Sequence, residues 1–289
     1  MSLRRIVPPY LITSIGSTER LRCQRAENMI NTAIKNSQIF TDQQLKNIRV
    51  FPQGSYANNT NISGESDVDI AVCYLGSFYT DFNHTPGLNN EMLRYSPAIY
   101  TFLEFRDDLI KSLVNYFGKE SITIGNKSIK ISGNSYRVKI DVVPCFPVIC
   151  YLPNALHFTG IRFVSSDGEV ITNFPDQHHL NGSEKNKETN YRFKRVVRDL
   201  KQINADLSED VRVPSFLIES LIWNVPTDLF IKTPEVVVLF LGKQLQNPDY
   251  VSEMLEINGI KSLFDEKQPW TPRDAMQFVY YAGRRLQLW

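Results

Sequence analysis

The chain has 289 residues, 42% of them hydrophobic and 22% charged, and its 32 Lys and Arg against 31 Asp and Glu leave a net charge of +1. That length suits one large domain or two modest ones, each with a core of its own. The even charge balance argues against a protein that coats nucleic acid, and no apolar run approaches the roughly 20 residues that a membrane-spanning helix needs.

The opening stretch, MSLRRIVPPYLITSIG, carries two arginines, but Pro8-Pro9 interrupts it and no continuous apolar segment follows. A secretory leader is not expected, and the cytoplasm is the expected compartment. Cys23, Cys73, Cys145 and Cys150 form no C-x-x-C pair, and no Cys or His is spaced like half of a zinc site. Three of them sit in apolar strand-like surroundings and read as small buried hydrophobes, in a reducing environment.

In chain order, Leu21, Ala26, Met29, Ile30, Ala33 and Ile34 form a helical stripe over 17–35, after a Ser-Thr start. NIRVFPQGS reads as a short strand ending in Gly54-Ser55, and SDVDIAVCYLG as a second strand. A Gly- and Pro-containing loop over 77–95 leads to a helix over 97–117, with Phe102, Leu103, Phe105, Leu109, Ile110 and Leu113 as its apolar positions. Short strands follow at SITIG, SIKIS and YRVKIDVVPCFPVICYL. From about Pro175 helical patterns dominate, at 188–203, 214–224, 234–246 and 272–287. The expectation is an α+β protein: a mixed-sheet lobe over 1–174, a helical lobe over 175–289 and a cleft between them.

The chemistry concentrates at FPQGSYANNTNISGESDVDIAV. On a strand, Asp67 and Asp69 project from one face while Val68, Ile70 and Val72 take the other. Two adjacent carboxylates repel each other, so a lysine, a metal ion or solvent must compensate them. In YRVKIDVVP the same alternation puts Arg137, Lys139 and Asp141 opposite Val138, Ile140 and Val142. Three acids on neighbouring strands suit a pair of Mg²⁺ ions about 3.5–4 Å apart, completed by substrate phosphates. Gly54-Ser55 stands 12 residues before Asp67. Glycine lets backbone approach a phosphate, and a serine at a helix start adds a hydroxyl. The plainer alternative makes Asp67 a cap or turn residue and Asp69 a surface carboxylate.

GSYANNTNISGESDVDIAV together with KIDVVP resembles the nucleotidyltransferase superfamily of DNA polymerase beta. Within it, QGSYANNT…DVDIAV resembles the bacterial relatives of cyclic GMP-AMP synthase, the cGAS/DncV-like nucleotidyltransferases or CD-NTases. The resemblance implies a two-lobed polymerase-beta-like fold. It also implies that Ser55, with Gly54, holds a triphosphate and that Asp67 and Asp69 bind two Mg²⁺ ions, Mn²⁺ being an alternative metal. Asp141 then helps activate the acceptor hydroxyl and completes the metal ligands.

EKNKETNYRFKRVVRDLK holds seven Lys or Arg among 18 residues. On a helix Lys194, Arg198 and Lys201 share one face while Val196, Val197 and Leu200 can face a core. Composition alone makes this a solvated helix face. The family resemblance instead implies a triphosphate-binding lysine on such a helix, a second serine some twenty residues on, and an aromatic that stacks on the donor base. Lys194, then Ser215 21 residues later, then Phe216 fit that order. Arg198 and Lys201 either support phosphate or are solvated. In GEVITNFPDQHHLNG, Asn173 or His178 is placed to read a base edge, and some family members use an asparagine near here to accept uracil. A loop asparagine before Pro175 is the other reading. Trp270 and Trp289 read as packing residues.

The activity implied is Mg²⁺-dependent synthesis of a cyclic di- or oligonucleotide from NTPs (ATP, UTP or another), UMP-containing if Asn173 acts as described, with release of pyrophosphate. The resemblance places it in bacterial antiphage signalling, with a monomeric enzyme, no membrane, no nucleic-acid activator and a separate effector that reads the product. One rival is a nucleotidyltransferase acting on RNA 3′ ends or a small-molecule hydroxyl; the near-neutral charge weighs against RNA. The other is an inactive nucleotide-binding sensor, which has no need of three mutually repelling carboxylates.

Overall fold

Helix α1 (Ser17–Lys35) buries Ala26, Ile30, Ala33 and Ile34 from the stripe read in the sequence, but it buries Cys23 in place of Leu21, which is exposed. The computed structural model describes residues 17–62, 67–231 and 233–289, so the expectation about a leader lies outside the described residues. After the short helix α2 (Asp42–Lys46) come strand β1 (Ile48–Gln53), helix α3 (Gly54–Asn58), strands β2 (Val68–Tyr74) and β3 (Tyr79–Asp81), and helix α4 (Phe102–Phe117). The pattern over 97–117 overran the true start of α4. Thr101 closes a capping box: its hydroxyl accepts from the Glu104 N–H, and the Glu104 carboxylate accepts from the Thr101 N–H at 2.8 Å.

Strands β4 (Ile122–Ile124), β5 (Ile129–Ile131), β6 (Ile140–Tyr151), β7 (His157–Val164) and β8 (Val170–Asn173) complete a mixed sheet. Its main path runs β1-β2-β6-β5-β4, and β3 and β7 join through β6. β2 and β6 are parallel, whereas β1 with β2 and β5 with β6 are antiparallel. A parallel pair needs a long crossover, and α4 lies within it. Val68, Ile70 and Val72 from β2 and Ile140 and Val142 from β6 are fully buried in one cluster with Ile30, Phe105 and Leu109. All four cysteines are buried, one more than the three read as small buried hydrophobes.

The remaining helices are α5 (Pro175–Glu188), α6 (Phe193–Ala205), α7 (Ser215–Trp223), α8 (Pro234–Gln244), α9 (Pro248–Glu253) and α10 (Pro272–Arg285). The single helix expected over 188–203 is in fact the end of α5, a break and α6. Asn190 and Tyr191 take positive φ of 51° and 63°, which ends α5 before α6 begins. α5 itself escaped the periodicity reading because it buries only His178 and Gly182. Phe193, Val197, Leu200, Leu217, Leu221 and Phe278 centre a second core. Trp270 packs there and donates its indole N–H to the Leu263 carbonyl at 2.8 Å. No described helix is long and apolar enough to cross a membrane.

By contacts, residues 17–57 and 67–176 form one unit, and 58–62 with 177–231 and 233–289 form the other. A division at 174/175 does not anticipate that 58–62 cluster with the helices. Charged hydrogen bonds tie this segment to α6. Lys201, only 2% exposed, donates to the Thr60 carbonyl at 3.0 Å, and Arg198 donates to the Asn59 carbonyl at 2.7 Å. Lys201 is thus a buried clamp on this segment rather than a solvated side chain. Lys201→Met keeps the apolar stem and loses a charged hydrogen bond, so urea unfolding should show a loss of about 1.5–3 kcal/mol.

Candidate active site

The register of the sheet assembles the acids. Gln53 of β1 pairs with Asp69 of β2, Asp69 with Asp141 of β6, and Asp141 with Lys130 of β5. These four residues form one row across the sheet, so their side chains leave from a common face. Asp67 stands one residue ahead of β2, where the Val68 N–H donates to the Lys139 carbonyl at 3.0 Å. Asp67 is exposed, Asp69 and Asp141 half-buried.

Gly54 follows Gln53 and has a φ of 65°. A Cβ at this position would overlap the Asp69 carboxylate, so position 54 needs glycine both for its backbone angle and for the space it leaves to Asp69. Ser55 is half-buried in the first turn of α3 beside it.

Burial raises the pKa of Asp141, and the negative charge of Asp67 raises it further; Lys130 and Lys139 pull it down. Lys130 is therefore part of the compensation that two adjacent carboxylates demand, and the sequence reading missed it. SIKIS shows only that Ile129 and Ile131 face inward and Lys130 outward; which acid lies across from Lys130 is a matter of register.

The donor set fits a hard divalent cation. All three acids offer carboxylate oxygens, and Asp141 bears a like-charge load that a cation would relieve. Among the described residues no three Asp, Glu, His or Cys side chains gather into a ready-made metal cage.

The other candidates lie elsewhere in the fold. Asn173 ends β8 and is exposed. Within the helical unit, Lys194 is buried on α6, with its ammonium 3.4 Å from the Ser183 hydroxyl. Burial lowers its pKa, Glu219 raises it and Arg198 lowers it again. Ser215 opens α7, and half-buried Phe216 meets the His178 ring edge-on at 5.5 Å and the Trp270 ring at 6.1 Å. His178 is buried, so it belongs to the packing of this unit rather than to an exposed loop. The sequence reading also passed over Glu219, which lies within 3.1 Å of the His178 ring nitrogen Nε2 and accepts from the Thr60 hydroxyl at 3.2 Å.

The raised pKa of Asp141 has a consequence for stability. Its favourable contribution is complete below the unfolded carboxylate value, near about 4, and is lost as pH rises through the folded pKa. With chelator at pH 7, Asp141→Asn should therefore melt above the wild type, and the gap should close below about pH 4. Thermal melts across that range check both signs.

Residues 35–120 match the nucleotidyltransferase domain family, and residues 180–287 match the cGAS/DncV-like nucleotidyltransferase C-terminal helical domain. The cyclic dipyrimidine nucleotide synthase CdnE of Legionella pneumophila is 37% identical over 285 residues, 94% of each chain. The cyclic dipurine nucleotide synthase of Elizabethkingia meningoseptica is 35% identical over 92% of each. Among solved structures, the Rhodothermus marinus CdnE c-UMP-AMP synthase with Apcpp and Upnpp superposes with a TM-score of 0.82 at 27% identity, over 97% of this chain and 94% of that one. Nucleotidyltransferases of this kind work with divalent metal ions. With its carboxylate row, its glycine-serine turn and both halves of the fold matched, this chain belongs to the bacterial cGAS/DncV-like nucleotidyltransferase family, the CD-NTases.

Proposed function

We propose that this enzyme joins NTPs into a cyclic di- or oligonucleotide, using Asp67, Asp69 and Asp141 as its metal-binding and catalytic residues. The observation that carries this is the pairing of Asp69 with Asp141 in adjacent parallel strands, with Gly54 cleared against Asp69. Two Mg²⁺ ions, or Mn²⁺, bound by the three acids would polarise the α-phosphate and neutralise the departing pyrophosphate.

The chain's own residues supply the rest. Asp141 helps activate the acceptor hydroxyl. The hydroxyl oxygen forms a bond to the α-phosphorus as the bond to pyrophosphate breaks, and a second transfer closes the ring. Gly54 and Ser55 hold the triphosphate through backbone N–H groups and a hydroxyl. Lys194 and Ser215 bind it from the helical unit, and Phe216 packs against the donor base. Positioning and charge neutralisation provide most of the rate enhancement in this chemistry.

Asn173 reads a base edge in this proposal and favours a UMP-containing product. Support comes from the dipyrimidine synthase at 37% identity and from the Rhodothermus structure, which holds Upnpp. The enzyme acts in the cytoplasm as a monomer, without a nucleic-acid activator, and the downstream effector binds the product. Neither RNA tailing nor an inactive sensor is favoured, because both relatives described above are named as cyclic nucleotide synthases.

Incubation with each labelled NTP, alone and in pairs, followed by phosphatase and mass spectrometry, should give a phosphatase-resistant product of defined mass. Asp67→Asn/Asp69→Asn should release no pyrophosphate while keeping its circular dichroism spectrum; NTP consumption by that variant refutes the assignment. Gly54→Ala, which must displace Asp69, should lower turnover about 100-fold.

A further inference from the structure

We infer that His178 is a positioning residue for this reaction: it fixes the plane of the Phe216 ring on which the donor base rests. The inference rests on the reading of Phe216 as the residue that packs against that base. Phe216 is the second residue of α7, and its side chain has no polar atom, so ring contacts rather than hydrogen bonds set how it stands. Two buried rings flank it. Trp270 lies at 6.1 Å and 46°, with its indole N–H held by the Leu263 carbonyl at 2.8 Å. His178 of α5 meets Phe216 edge-on at 5.5 Å and 69°, a favourable arrangement for aromatic rings. Phe216 itself is only half-buried, so part of its ring is open to a ligand.

The imidazole is anchored in its turn. Its Nε2 lies 3.1 Å from a carboxylate oxygen of Glu219, which follows Phe216 by three residues on the same face of α7, and 3.1 Å from Asn58 Nδ2. The second Glu219 oxygen accepts from the Thr60 hydroxyl at 3.2 Å, and Lys201 donates to the Thr60 carbonyl at 3.0 Å. Burying an imidazole beside a carboxylate carries a desolvation penalty that a leucine or phenylalanine at 178 would avoid. What the polar pair adds is direction. An apolar side chain can turn within its space, whereas a ring held at Nε2 keeps one plane and offers Phe216 one fixed edge. A base stacks on the face of Phe216, so loss of the anchor is felt at the base and not at the triphosphate.

The test sets KM for the NTPs that the wild type consumes against the inhibition constant of inorganic tripolyphosphate, which carries the phosphate chain without a base. His178→Ala should raise KM about tenfold, within the range that loss of a base–aromatic stack produces, while tripolyphosphate inhibition and kcat change by less than about twofold. Adding His178→Ala to Phe216→Ala should bring no further loss, because the imidazole acts through that ring. If His178→Ala does not accumulate as folded protein, His178→Phe, which keeps a ring edge but not the hold at Nε2, should raise KM by less and in the same base-dependent way. An unchanged KM, a KM that rises together with the tripolyphosphate constant, or a double variant whose losses add makes His178 a packing residue and overturns the inference. Phe216→Ala with wild-type KM overturns instead the reading beneath it, that Phe216 packs against the donor base.

Discussion

The parallel pairing of β2 with β6 is the constraint from which the candidate active site follows. It sets Asp69 level with Asp141, while Val68, Ile70, Ile140 and Val142 fill the core on the opposite face. Because side chains alternate with a period of two, a slip of one residue would turn an aspartate into the core and a valine or isoleucine out of it. The buried aliphatic face therefore enforces the register that the carboxylates need. Packing energy holds together charges that would otherwise drive their strands apart.

That arrangement is strained electrostatically, and the neighbouring residues show how the strain is managed. Lys130, next in the row, and Lys139 offset part of the negative charge, yet burial and Asp67 still push the Asp141 pKa up. The helical unit solves the inverse problem. There the buried cations Lys194 and Lys201 are held by hydroxyl and carbonyl oxygens, and buried Glu219 supplies countercharge. Both units thus carry ionised groups away from bulk water.

The relatives show how little of product choice is set by the fold. A dipyrimidine synthase and a dipurine synthase match this chain at 37% and 35% identity, each over more than nine tenths of its length. The catalytic frame is common to nucleotide chemistry in general. Base preference is a matter of the side chains that meet the base edges, through the donors and acceptors they offer.

Much of this protein was legible as local pattern. The three-and-four stripe of α1, the alternation around Asp67, Asp69 and Asp141, and the change from strands to helices near Pro175 are properties of neighbouring residues, so they survive in a linear text. The start of α4 at a capping box and the break at Asn190 and Tyr191 are local as well, but apolar periodicity does not register them. Only tertiary structure placed Lys130 beside Asp141, gathered residues 58–62 onto the helices and joined Glu219 to His178 and Thr60. Thr60 and Glu219 stand 159 positions apart, and their hydrogen bond forms only after both have lost water. Whether a charged residue ends as a solvated face or a buried clamp depends on which distant oxygen meets it, and composition carries no record of that meeting.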